Sequence, residues 1–176
     1  MLTRVYASDG RLISEYAAEQ RSYVPIDSIP PLIIDSFLAA EDKNFYDHIG
    51  IDFTGIIRAL KRNINNITGR PEGASTITQQ VAKNFFLSRE ISYKRKIKEI
   101  LLALRIEQTL SKNKILELYL NEIYLGYRSY GVAAASLNYF NKTLDELTIA
   151  EAAYLAALPK APNNYHPIRK KKAAIG

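Results

Sequence analysis

The stretch GASTITQQVAKNFF, residues 73–86, packs three hydroxyls and two adjacent amides into a few positions: Ser75, Thr76, Thr78, Gln79 and Gln80. Lys83, Asn84, Phe85 and Phe86 follow at once. Thr76 with Gln79 three residues later has the form of a capping box, in which each side chain bonds the other's backbone N–H. The pattern predicts a helix running to about Phe86. A helix start presents free N–H groups, and the hydroxyls add donors. Gln80 and Lys83 are three apart and share a face. Together they form a candidate cradle for a sugar or a phosphate. The same residues also read as a well-capped helix with a polar outer face.

Downstream, Ser92 is positioned to cap a long helix to about Leu110, with Ile97, Ile100, Leu101, Leu104 and Ile106 as its apolar positions. Its first turns hold Lys94, Arg95, Lys96 and Lys98, where cations oppose the helix dipole and call for a compensating anion. Glu99 lies on the face of Arg95 and Lys96, and cations on either side favour its charged form. A salt-bridged solvent face is the alternative. Ser111 opens the next helix, KNKILELYLNEIYL, expected to end near Gly126. A short Ala-rich helix over 131–140 follows. Thr148 and Glu151 form a second capping box, and Pro159 stops that last helix.

Upstream, TRVYASDGRLISEY alternates around Asp9-Gly10 and predicts a β-hairpin, the only β element expected. Pro31 begins a helix with Leu32, Ile33, Phe37 and Leu38 on one side, ending at about Asp42 or Lys43. Asp52 is placed to cap FTGIIRALKRNINNIT, apolar on one face and basic on the other. GRPEG, 69–73, reads as a loop. The fold expected is therefore mainly α, seven or eight helices with a short N-terminal β-hairpin.

The segment AAEDKNFYDHIGID, residues 39–52, ends an apolar helix on Glu41 and Asp42, followed by Phe45 and His48. A carboxylate at a helix C-terminus faces the negative end of the dipole, and apolar neighbours raise its pKa further. A carboxyl that holds a proton near neutrality suits general acid–base work. An ordinary exposed Glu-Asp pair is the alternative. Two glutamates in contrasting settings, Glu41 and Glu99, are the arrangement with which glycosidic bonds are made or cut.

Composition sets the outer bounds. The 176 residues are 47% hydrophobic and 24% charged, enough for a packed core in one domain. Residues 1–28 read as a hairpin and linker, and 29–176 as the main domain. The absence of cysteine excludes disulfides and thiolate metal sites, and two histidines make a zinc site improbable. A net charge of +6 favours anionic partners, although no nucleic-acid motif accompanies it. Part of the excess is the run Arg169-Lys170-Lys171-Lys172, a binding element or a solvated tail. No apolar run reaches the roughly 18 residues of a membrane helix, because Asp35 and Arg105 cut the longest candidates. No signal peptide is visible. Both ends read as cut, so a flanking anchor or further domain is expected.

Five blocks in order, EDKNFYDHIGID, GASTITQQVAKNFF, RKIKEILLALRIE, KILELYLNEIYLG and AAYLAALPKAPNNYHP, together resemble the transglycosylase domain (glycosyltransferase family 51) of class A penicillin-binding proteins, in a form similar to the 1A-like enzymes. The resemblance implies a lysozyme-like helical fold with two lobes and a cleft. It implies polymerisation of the lipid-linked disaccharide-peptide lipid II into β-1,4 glycan, with inversion and release of undecaprenyl pyrophosphate. Glu41 aligns with the family's catalytic glutamate and Glu99 with its second essential glutamate. Lys83 and Lys96 match lysines that contact the substrate's phosphates. The resemblance extends substrate binding to Asp42, Phe45, His48, Ser75, Thr76, Gln79, Gln80, Asn84, Arg95 and Asn121. It allows a divalent cation, Mg2+ or Mn2+, brought by the pyrophosphate to Glu99, and no organic cofactor.

The partners implied are lipid II, the growing glycan-lipid chain, the membrane interface and other cell-wall synthesis proteins. The location implied is the outer face of the bacterial cytoplasmic membrane, with FTGIIRALKRNINNIT dipping into the interface. The family's phosphoglycolipid inhibitor moenomycin would bind the same cleft. Many members carry a basic residue eight positions before the second glutamate; here that place is Ile91, with Arg89 nearby. The family's membrane anchor and transpeptidase domain have no counterpart in these residues, which suits a fragment of a longer protein. The competing readings are a lysozyme-like lytic enzyme, disfavoured by the phosphate-oriented lysines, and a non-catalytic membrane-associated scaffold, disfavoured by the intact glutamates.

Overall fold

A computed structural model describes residues 2–6, 9, 12–17, 20–65, 75–87 and 92–160. The GRPEG loop, Arg89, Ile91 and the basic run 169–172 lie outside the described residues. Strands β1 (Leu2–Tyr6) and β2 (Leu12–Ala17) pair antiparallel, Leu2 opposite Ala17 and Val5 opposite Ser14, as the alternation predicts. The helices are α1 (Pro31–Glu41), α2 (Phe53–Asn65), α3 (Ile77–Phe86), α4 (Tyr93–Thr109), α5 (Lys112–Glu122), α6 (Val132–Phe140) and α7 (Ile149–Ala157).

Most helix boundaries follow from side-chain caps. Thr76 and Gln79 make the full capping box, as do Thr148 and Glu151. Ser92 Oγ accepts the Arg95 amide at 3.1 Å, and Ser111 Oγ accepts that of Lys114 at 3.3 Å. Asp52 Oδ1 accepts the Gly55 amide at 2.8 Å and so caps α2. Each such cap satisfies N–H groups that a helix start leaves unpaired.

Two expectations need correction. The hairpin is not the only β structure: strands β3 (Gln20–Arg21) and β4 (Ser129–Tyr130) pair in parallel, and Tyr124 bridges Tyr130. Helix α5 ends at Glu122, not near Gly126. Beyond it Ile123 turns extended, and the chain reverses through Gly126, Tyr127 and Arg128, all at positive φ. The Leu125 amide then donates to Ser129 O, and the Gly131 amide to Ile123 O. This reversal satisfies backbone groups that another helical turn would have used.

The core gathers Ile33 and Phe37 of α1, Ile77 and Val81 of α3, Ile115, Leu116, Tyr119 and Leu120 of α5, and Leu155 of α7. Helix α1 packs along α7, and α3 packs against both α4 and α5. Residues 20–28 are stitched onto α5. Val24 N–H donates to Asn121 Oδ1 at 2.7 Å, Ile26 N–H to Glu117 Oε2 at 2.9 Å, and Tyr23 O–H to Glu117 Oε1 at 2.6 Å. Helix α2 stands apart. Among its described side chains only Ala59 is buried, while Phe53, Ile57, Leu60 and Ile64 face outward.

Candidate active site

The site is built where α1 ends and α3 begins. Asp42 leaves the helix with φ −156° and ψ 76°, and its buried carboxylate ties three segments together. It accepts His48 Nε2–H at 2.9 Å and the Ile77 backbone N–H at 2.9 Å. The Gly50 amide donates to His48 Nδ1 at 3.0 Å, which puts the ring proton on Nε2, the nitrogen facing Asp42. The Gly50 carbonyl in turn accepts Thr76 Oγ1–H at 2.7 Å. Gly50 has φ +93°, and a Cβ there would lie 2.9 Å from Glu107 Cγ. The loop 42–50 is thus locked to the start of α3.

This joint presents Glu41, the last residue of α1, to one face of α3. Gln80 Nε2–H donates to Glu41 Oε2 at 2.8 Å. Glu41 Oε1 is buried and has no hydrogen-bond partner among the described residues. Burial pushes the Glu41 carboxyl above its ordinary pKa, and the adjacent Asp42 adds to this. The Gln80 bond and the charges of Lys160 and Lys83 pull the other way. A carboxyl with one fixed oxygen and one open oxygen is suited to receive a proton from a bound hydroxyl.

The second constellation adjoins the same N-terminal end of α3, on the side of α4. Glu99 of α4 is only 3% exposed, and the Lys96 ammonium donates to it. Lys96 Nζ also donates to Ser75 Oγ at 3.1 Å, just before α3. Arg95, half-buried, keeps its Nε without a partner among the described residues. Donors left open beside a fixed lysine suit an anion with several oxygens. Both glutamates therefore connect to α3, Glu41 through Gln80 and Glu99 through Lys96 and Ser75.

The sequence-predicted residues divide. Gln80 and Lys83 lie on α3, Lys96, Arg95 and Glu99 on α4, Ser75 just before α3 and Glu41 at the end of α1, with exposed Asn84 one residue beyond Lys83. Thr76 and Gln79, expected to line a substrate track, are buried in the capping box with their polar atoms engaged. Phe45 is 1% exposed and packs under His48, with the Lys112 ammonium 4.5 Å over its ring. Asp42 and His48 spend their polar atoms on each other and on backbone. Asn121 binds Val24 and the Glu117 carbonyl. These buried residues bond within the fold around the site.

Lys160, which the sequence reading passed over, faces Glu41 electrostatically from the turn after α7. The signal was its place directly after Pro159, where a helix stop fixes a side chain's direction. A buried layer was also missed: Thr78 Oγ1–H donates to Glu107 Oε1 at 2.5 Å, and Lys112 Nζ donates to the same oxygen at 2.7 Å.

A mainly helical domain that sets a carboxyl with a raised pKa and a second, lysine-bonded carboxyl on either side of one helix start has the lysozyme-like architecture. The chain belongs to the transglycosylase family, whose model matches residues 9–176. It is 58% identical over 170 residues to penicillin-binding protein 1A of Rickettsia felis, covering 96% of this chain and 22% of that one. It is 51% identical over 173 residues to penicillin-binding protein 1A of Escherichia coli K12, covering 98% and 20%. The crystal structure of penicillin-binding protein 1A from Haemophilus influenzae is similar over 97% of this chain and 16% of that one, with a TM-score of 0.52 and 30% identity. The chain spans about a fifth of the length of these relatives.

Proposed function

We propose that the domain is a peptidoglycan glycosyltransferase that polymerises lipid II. The observation that carries this reading is the open, buried Oε1 of Glu41 beside Gln80, Lys83 and Lys160. The 4-hydroxyl of the acceptor sugar loses its proton to Glu41 Oε1 as its oxygen attacks the anomeric carbon of the growing chain. The bond from that carbon to undecaprenyl pyrophosphate breaks, and the α-linked centre becomes β. Lys83, Lys96 and Arg95 hold the phosphates as negative charge builds on them. Fixed charges in a water-poor site lower the barrier because they need no reorganisation during reaction.

Among the described residues no three acidic or histidine side chains gather to hold a metal by themselves. A divalent cation would therefore arrive on the pyrophosphate, where it would neutralise phosphate charge, with Glu99 as its protein contact. The exposed apolar side of α2 favours work at a membrane interface, with the site on the outer face of the cytoplasmic membrane. Other cell-wall synthesis proteins are expected partners there.

The test is incubation of the full chain with lipid II in detergent, followed by analysis for glycan polymer. Glu41→Gln is expected to reduce turnover at least about 100-fold, the contribution of a general base, while moenomycin still binds. Near-normal polymerisation by Glu41→Gln would remove Glu41 as the base. Cleavage of preformed glycan without polymer would make the domain lytic.

A further inference from the structure

Tyr119 of α5 is 1% exposed, yet its hydroxyl has no hydrogen-bond partner among the described residues. An unpaired buried hydroxyl is costly, so cores normally replace it with phenylalanine or give it a partner. Its ring meets Phe37 edge-on, with centroids 6.3 Å apart. Phe37 and Glu41 are four residues apart on α1, one above the other on the same face. The Tyr119 ring thus packs on the face of α1 that ends at Glu41, and the carboxylates of Glu41 and Asp42 reinforce the rise that burial imposes on the phenol. Among the described residues the Tyr119 O–H has no acceptor and Glu41 Oε1, a carboxyl oxygen, has no donor.

We propose that Tyr119 is a positioning residue for the catalytic carboxyl, its hydroxyl donating to Glu41 Oε1 when that side chain is ionised and releasing it to the acceptor hydroxyl. The inference rests on the role given to Glu41 above. In the ionised state the carboxylate then has Gln80 on one oxygen and Tyr119 on the other. As substrate arrives, its hydroxyl takes the place of the phenol, and the proton passes to Oε1. Because a donor favours the charged form, Tyr119 keeps the base ionised at a lower pH than burial alone would allow.

The groups facing Glu41 from every neighbouring element are few. Helix α3 supplies Gln80 and Lys83, the turn after α7 supplies Lys160, and α1's own end supplies Asp42. Asp42 is held by His48 and the Ile77 amide. Glu151 of α7 is turned away to Lys142, at 2.8 Å. Tyr119 is the contribution of α5.

The test is Tyr119→Phe, which removes one oxygen and keeps the ring on Phe37. The pH profile of kcat/KM for lipid II polymerisation, which reports the substrate-free enzyme, is expected to move its acidic limb upward by about one unit, the scale of a hydrogen bond to a charged group. KM at the optimal pH should stay within about twofold, and Tm should not fall on the acidic side, where Glu41 is protonated and the hydroxyl is unpaired. A second readout is independent of activity. The infrared carboxyl band of Glu41, isolated as the difference between the parent chain and Glu41→Gln, should show a protonation midpoint shifted upward in Tyr119→Phe. Superimposable limbs, or equal infrared midpoints, overturn the inference. If Glu41→Gln still polymerises lipid II, the role of Glu41 fails instead, and the infrared comparison still decides whether Tyr119 and Glu41 are coupled.

Discussion

Gly131 lets α5 and α6 touch. It is the N-cap of α6 with φ +82°, and a Cβ there would lie 2.5 Å from the carbonyl oxygen of Asn121. That neighbour is backbone and cannot swing aside. Gly131→Ala therefore combines a disfavoured conformation with a clash. Its expected cost is about 2–4 kcal/mol of stability, read from the denaturant midpoint. An unchanged midpoint would mean that the two helices part easily. Single residues such as this were only partly legible in the sequence. The Thr76–Gln79 box was readable because its chemistry is local. The engagement of Gly50 by Thr76, and of Glu107 by Thr78, was not, since those partners lie 26 and 29 residues away along the chain. The hydroxyl-rich start of α3 is thus largely a structural joint, while Gln80 bonds Glu41 and Ser75 bonds Lys96.

At the level of elements, α5 anchors the segment that precedes α1. Glu117 carries the anchor: Lys114 bonds it, then Tyr23 and the Ile26 amide, and together they hold its pKa down to about 2 despite the opposing effect of burial. A carboxylate with a folded pKa below its ordinary 4.5 stabilises the fold above that value. The contribution is lost as pH falls from about 4.5 toward 2. Thermal melts between pH 6 and pH 2 should show this loss, and Glu117→Gln should be less stable at pH 6 but flatter over that range. An equally steep acid loss in Glu117→Gln would place the sensitivity elsewhere, for instance at Glu151, which Lys142 and Thr148 also hold near 2. The helices themselves were readable from caps and period. The end of α5 was not, because Ile123 and Leu125 continue an apolar rhythm that suits an extended segment as well as a helix. Strands β3 and β4 are two residues each and leave no period to read.

Taken as one body, the molecule carries its exposed apolar residues unevenly. Phe53, Ile57, Leu60 and Ile64 recur along α2 at helical spacing, and Phe85, Phe86, Ile97 and Leu101 are exposed at the end of α3 and along α4. No helix among the described residues is long and apolar enough to cross a membrane, and the exposed apolar face of α2 is the surface that the proposed interfacial role would use. Replacing Ile57 and Leu60 by Asp should reduce sedimentation with vesicles containing anionic lipid at least about fivefold. The substitutions should leave Tm nearly unchanged, since both side chains already face solvent. Equal sedimentation would assign membrane contact to another face. The amphipathic pattern of α2 was plain in the sequence because it is periodic. The convergence of Glu41 and Glu99 on α3 was not, because it depends on how α1 and α4 pack around that helix.

The joint at Asp42 bears on drug resistance. A compound seated against Gln80 and Glu41 would press on a wall whose foundations are a buried carboxylate, an imidazole and a backbone amide, all already committed to one another. Substitutions that reshape that wall would also displace Glu41, the base of the proposed reaction, so escape mutants should carry a heavy fitness penalty there. They are expected instead at exposed positions such as Asn84, where a side chain can change without disturbing the foundations.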